Sequence, residues 1–205
     1  IREYIVAEAM HALGVPSSRS LAVVHTGDTV YRDREYPGGI VTRVAKSHIR
    51  IGSFEYLAFR KDNDSIKELL QYCIHRHYPE LHDHECPALG FLESVSKKHV
   101  TLVAKWMALG FIHGVMNTDN MAISGDTIDY GPCAFMEHYN PDQVFSSIDQ
   151  FGRYAYSKQA DIAQWNMSRL AVTLLEHIHP DTKQAIHMVE PVIKGFTDLF
   201  ETEWQ

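Results

Sequence analysis

Cysteine is scarce in this sequence. Three in 205 residues are too few for a disulfide framework and suit a reducing compartment. Basic charge is also short. Lys and Arg number 19 against 26 Asp and Glu, a formal net charge of −7, which leaves no basic face for the backbone of a nucleic acid. No apolar run reaches the length of a membrane-crossing helix, so no membrane partner is expected, and no signal-peptide pattern or initiator Met stands at Ile1. Glycine is not gathered into a phosphate-binding loop, and neither an internal repeat nor a low-complexity segment is present. These shortages exclude a secreted disulfide scaffold, a nucleic-acid binder and a solenoid. The 45% apolar and 22% charged residues are those of an ordinary globular domain.

What is there is concentrated in one stretch. His113-Gly-Val-Met-Asn-Thr-Asp-Asn120 follows the spacing of a protein-kinase catalytic loop, H-R-D-x-x-x-x-N, in which the Asp is the base and the Asn binds a metal ion. The place of the base is taken by Val115, which cannot accept a proton. Asp119, one residue before Asn120, is the substitute. Apolar runs at 121–124 and 127–129 flank Gly125-Asp126, a dipeptide suited to a tight hairpin turn. Such a hairpin returns Asp129-Tyr-Gly131, a DFG-like motif, to the end where Asn120 lies. An amide oxygen and a carboxylate so placed suit Mg²⁺ or Mn²⁺ that also holds substrate phosphates. The alternative is a surface hairpin whose Asn and Asp only form turns.

The remaining elements can be read coarsely. Residues 2–13 form a helix stopped by Gly14, with Pro16 beyond it. Strands are expected at 21–24, 30–32 and 40–45, the first two separated by a turn at Gly27-Asp28. Helices follow at 52–59 and 65–77, the latter with Ser65 as N-cap and Glu68 completing a capping box. A helix at 95–112, with its stripe of Val100, Val103, Met107 and Phe111, delivers His113 into the loop. Two more, at 155–175 and 181–201, are split near His179-Pro180. The fold class is α+β. His75, His77, His82 and His84 beside Cys86 invite a zinc reading, but their spacing fits no common zinc pattern, and a polar loop after a helix is the alternative.

The run 111–135, FIHGVMNTDNMAISGDTIDYGPCAF, closely resembles the selenoprotein O family of pseudokinases. So do IREYI at 1–5, EAMHALGVP at 8–16 and TRVAKSHIRIGSFE at 42–55; the resemblance runs to about residue 175. It implies a kinase-like fold: residues 1–50 as the end of a small lobe of helix plus antiparallel strands, and 51–205 as a mainly helical large lobe. It implies a protein adenylyltransferase that moves AMP from ATP to Ser, Thr or Tyr hydroxyls of protein substrates. Asp119 would be catalytic, and Asn120 and Asp129 would hold the metal, Asp129 touching the nucleotide as well. Arg43 and Arg50 would contact the ATP phosphates of a nucleotide bound flipped relative to ordinary kinases, although by spacing alone two such arginines are usually solvated. Glu3, in the first turn of the first helix, would pair with a phosphate-binding Lys that this chain lacks; it is otherwise a favourable acid at a helix start. Cys133 is either a buried small residue or a redox switch. The location implied is cytoplasmic for a bacterial protein and mitochondrial for a eukaryotic one.

Two other functions stay open: transfer of the γ-phosphate as a protein or small-molecule kinase, and a catalytically silent scaffold that senses nucleotide. Complete family members are more than twice as long and carry the Gly-rich loop and the Lys upstream, so the chain reads as a fragment. Residues 1–205 by themselves are therefore expected to transfer no nucleotide, since both missing parts supply phosphate contacts. Robust transfer by the purified 205-residue chain would overturn that reading.

Overall fold

The computed structural model describes residues 1–205. Helix α1 (Arg2–Ala12) buries Ala7 and Met10 and ends at Leu13, with Gly14 in the left-handed region. Strands β1 (Arg19–Tyr31) and β2 (Glu35–Val44) form an antiparallel ribbon. Here the turn expected at Gly27-Asp28 is instead a bulge inside one long strand: the register shifts between His25 and Thr29, and Gly27 has φ +85°. Extra residues on one strand are absorbed by such a kink, and only glycine enters that conformation without strain. The chain reverses later, at Arg32–Arg34, where Arg32 N donates to Arg34 O.

Helices α2 (Ile51–Phe59), α3 (Asn63–His77), α4 (Pro87–Ala108), α5 (Gln159–Ile178) and α6 (Thr182–Trp204) make up the rest, with two short strands, β3 (Phe111–Ile112) and β4 (Ala134–Phe135). The architecture is α+β. Ser65 is not the cap of α3. Asp62 is, accepting from Ser65 N at 3.1 Å and Ser65 Oγ at 2.8 Å; either residue type can cap, and the one that is extended when the helix starts takes the role. Helix α4 begins well before the expected residue 95, with Pro87 in its first turn, where a missing N–H costs nothing. It stops at Leu109-Gly110, and Phe111 and Ile112 leave it to pair with β4.

The core is one apolar cluster fed by α1, α2, α3, α4, α5, α6 and the 111–133 segment, with Trp106, Tyr78, Tyr130, Phe54, Phe91 and Phe111 its largest buried side chains. Its centre is the expected hairpin, which proves to be buried rather than a surface feature: every residue from 121 to 128 is inside. A single bridge, Met121 to Thr127, closes it. Gly125 N donates to Ala122 O inside the turn at 3.0 Å, and several other backbone groups bond outward. Ile51 N donates to Met121 O and Ile123 N to Ile49 O, while Thr127 N donates to Pro16 O and accepts, through its carbonyl, from Ser18 N. Gly125 must be glycine twice over, with φ +75° and an added Cβ only 2.6 Å from Lys98 Cβ.

Thr127 Oγ1 donates to Pro16 O and accepts from the indole N–H of Trp106 at 2.8 Å, in the interior. Thr127→Val keeps the shape and strands the Trp106 indole N–H, while Pro16 O keeps the Thr127 backbone N–H. Each buried unpaired group costs about 1–3 kcal/mol, so the unfolding midpoint should fall clearly, while Thr127→Ser should stay near the parent. Equal midpoints for Val and parent in denaturant titrations would show that the Trp106 indole finds another partner.

Candidate functional site

The loop from His113 to Asn120 is held from below by buried groups. His113 is fully buried; its Nε2 donates to Ile128 O at 2.8 Å and its Nδ1 accepts from Val115 N at 3.3 Å. Burial pushes its pKa down, so it is a neutral structural imidazole at pH 7 and not a base. Gln159 clamps the entry, taking His113 N at its Oε1 and giving its Nε2 to Phe111 O, both at 3.0 Å. Asn166 Nδ2 donates to Met116 O at 2.9 Å. Asp119 and Asn120 then project from a short 3-10 turn, Thr118–Asn120, with Asp119 exposed.

At the position where a kinase carries its base, the backbone carbonyl of Val115 accepts from Asn120 Nδ2 at 2.9 Å. That bond commits the amide nitrogen and leaves Asn120 Oδ1 as the free donor atom for a cation. Across the Met121–Thr127 bridge lies Asp129, half-buried, with φ +63°. A non-glycine residue in that region is strained, and such strain collects at functional positions. Its Oδ1 is 3.4 Å from Gly131 N. No three His, Cys, Asp or Glu side chains gather into a metal-sized cluster. The donor set of Asn120 and Asp129 therefore fits a hard divalent ion completed by phosphate oxygens and water, not an all-protein cage.

Glu3 ties the first helix to this motif. Its Oε2 accepts from Tyr130 N at 2.7 Å, and its Oε1 accepts from Arg43 Nη2 at 2.5 Å. The family resemblance implies separate partners, a Lys for Glu3 and phosphates for Arg43; in the structure the two residues hold one another. Arg43 Nε is buried and has no acceptor. Arg50 stands exposed at the start of α2, its backbone fixed by Ser53, whose Oγ accepts Arg50 N at 3.2 Å. Lys46 reaches the buried Asp126 at 3.6 Å.

Two expectations lose ground. Cys133 is buried, its Sγ donates to Tyr130 O at 3.2 Å, and burial pushes its thiol up to about 11. Redox-active thiols are exposed and of low pKa, so the geometry gives Cys133 the packing role. In the histidine-rich loop, His84 Nδ1 accepts from Cys86 N at 3.1 Å, a local turn contact, and His75, His82 and His84 are solvent-exposed. Sequence reasoning missed Gly52 altogether, although it lies against Asp119. A glycine in the first turn of a helix was the available signal.

An exposed carboxylate, an amide and a carboxylate flanking a buried turn, and two nearby arginines are groups of the kind that handle phosphates. The family model described as protein adenylyltransferase SelO matches residues 1–205, and the chain belongs to that family. It is similar to proteins named protein nucleotidyltransferase YdiU. That of Syntrophotalea carbinolica is 55% identical over 201 residues, 98% of this chain and 41% of the relative. That of Nitrosococcus oceani is 53% identical over 204 residues, 100% of this chain and 41% of the relative. That of Bacillus cytotoxicus is 53% identical over 204 residues, covering 100% of this chain and 42% of the relative. The chain thus spans about two fifths of the length of these relatives. No helix is long and apolar enough to cross a membrane.

With a thiol pKa near 11 for Cys133 and near 12 for Cys73, about one thiol in a thousand or fewer is ionised at pH 8. Iodoacetamide at pH 8 should modify the partly exposed Cys86 first and leave Cys133 and Cys73 unmodified until the fold opens. Rapid labelling of native Cys133 by mass spectrometry would return it to the redox reading.

Proposed function

We propose that this chain, within a protein of its relatives' length, provides the catalytic loop, metal ligands and phosphate-binding arginines of a kinase-like protein adenylyltransferase. Residues 1–50 act as the end of the small lobe and 51–205 as the large lobe. The observation that carries the proposal is the buried turn 121–128, which sets Asp119 and Asn120 at one side of the Met121–Thr127 bridge and Asp129 at the other. ATP is the nucleotide, and the acceptors are Ser, Thr or Tyr hydroxyls of protein substrates.

Asn120 Oδ1 and the Asp129 carboxylate would hold Mg²⁺ or Mn²⁺. When bound, the ion neutralises phosphate charge. Arg43 and Arg50 offer guanidinium donors to the phosphate oxygens. Asp119, exposed and free of any ion pair, orients the acceptor hydroxyl and takes its proton. The hydroxyl oxygen bonds to the α-phosphorus, and the bond from that phosphorus to the bridging oxygen breaks. Pyrophosphate leaves with the electron pair. Most of the catalysis is then positioning and charge stabilisation. The second reading, phosphoryl transfer, is favoured by one observation: an exposed Asp in the loop could equally serve a γ-phosphate transfer.

Full-length protein given α-labelled and, separately, γ-labelled ATP decides between them. Protein labelled from the α-position alone is the expected result; label from the γ-position alone means a kinase, and label from neither means a scaffold. Asp119→Ala should lower kcat by about 10²–10⁴-fold, with nucleotide affinity changed far less. Asp129→Ala should abolish transfer at saturating metal. Near-normal turnover of Asp129→Ala would remove it from the metal site.

A further inference from the structure

Gly52 is the second residue of α2, and its backbone does not lie in the left-handed region. Nothing in its conformation calls for glycine, which is a poor helix former. What glycine supplies here is space. A Cβ added at residue 52 would lie 2.3 Å from Asp119 Oδ1, 3.0 Å from Asp119 Cγ and 3.3 Å from Asp119 Cα. Real carbon atoms do not approach a carboxylate oxygen so closely. The absent side chain is the seat of the Asp119 carboxylate.

The seat has a direction. Residue 52 lies in the first turn of α2, where backbone N–H groups and the helix dipole favour a negative group. The helix start is itself anchored: Ile51 is fully buried, and its N–H donates to Met121 O at 3.0 Å. The segment 49–51 thus pairs with the turn that begins directly after Asn120. The same backbone pairing that locates the metal ligands also sets the distance from α2 to Asp119.

We infer that Gly52 is a positioning residue for the transfer reaction: it lets the N-terminus of α2 seat the Asp119 carboxylate in the orientation that receives the acceptor hydroxyl. The inference rests on the role proposed above for Asp119. The chemistry of a clash at this point separates function from folding. The atom struck first, Oδ1, is the far end of a rotatable side chain. Turning the carboxylate aside relieves the contacts to Oδ1 and Cγ, and the 3.3 Å contact to Asp119 Cα needs only a small backbone adjustment, offset by the better helix propensity of alanine. Stability is kept while the carboxylate leaves its place. A misplacement of about 1 Å can cost on the order of 10²-fold in rate.

The test uses full-length protein, with kcat, KM for ATP, ATP affinity and melting temperature measured for Gly52→Ala, Asp119→Ala and the double variant. Gly52→Ala should lose at least about tenfold in kcat, with ATP affinity and melting temperature near the parent values. In the Asp119→Ala background the same change should have no further effect on the residual rate, because the group it displaces is gone. Parental kcat in Gly52→Ala beside a crippled Asp119→Ala overturns the inference and leaves the functional reading standing. Parental kcat in Asp119→Ala overturns the functional reading itself. Independent, multiplicative losses in the double variant assign Gly52 a merely structural role and overturn the inference. Should Gly52→Ala fold poorly, recovery of its melting temperature in the double variant supports the contact, and no recovery overturns it.

Discussion

The structure depends on one buried residue making four backbone and side-chain hydrogen bonds. Thr127 joins Pro16 twice, Ser18 once and the Trp106 indole once. Pro16 and Ser18 lead from α1 into β1, and Trp106 lies in the last turns of α4. The turn 121–128 is therefore the joint between the ribbon and the helical part, and its own first residues pair with Ile49 and with Ile51, the first residue of α2. Polar backbone in the interior has to be paired, and here the pairing partners come from three distant stretches of chain. Any displacement of one stretch opens hydrogen bonds of the others, which is why the residues at the mouth of the turn are well fixed.

The charged groups are arranged around that joint in a consistent order. Asp126, inside the turn, is met by Ser124 and by Lys46. Glu3 occupies the outer side, where it accepts the Tyr130 amide and Arg43 together. The Tyr130 ring is packed on Phe111, and its phenol, bonded to Ser17, is pushed up to about 12 by burial. Buried rings thus lie under the solvent-facing groups. Buried histidines are among these rings: His113 and His99 are both driven toward the neutral form by loss of water, His99 down to about 4. The groups proposed to do the chemistry are Asp119, Asn120, Asp129, Arg43 and Arg50.

The ribbon of β1 and β2 is differently placed. Leu21, Val23, Val24, Ile40 and Val44 are exposed on it, and a two-stranded ribbon gains little stability by itself. It is anchored at its root, where Arg19 forms a paired salt bridge with Glu8 of α1 and holds that carboxyl near 2, below its usual range. The relatives are more than twice as long as this chain.

Much could be read in the sequence itself. Apolar periodicity located the long helices, because a helix that buries one face must repeat its apolar residues at helical spacing. The His113 to Gly131 spacing located the candidate site, since its ligands are neighbours in sequence and a short turn suffices to bring them together. The class of family followed from the same residues. Other features were decided only by the tertiary structure. Gly27 looked like a reversal and is a bulge, because a paired strand on the other side holds the chain in register. That the 121–128 turn is core rather than the alternative surface hairpin was decided by its partners, Pro16, Ser18, Ile49, Ile51 and Trp106, some of them about a hundred residues away. Cys133 lost its redox reading to burial, and Glu3 and Arg43 acquired each other. Gly52 acquired a meaning only when Asp119, distant in sequence, came to lie against it. Local sequence determines which elements can form and which chemical groups are available; who meets whom across long loops depends on close packing and on the pairing of every buried polar group, and neither is a local property.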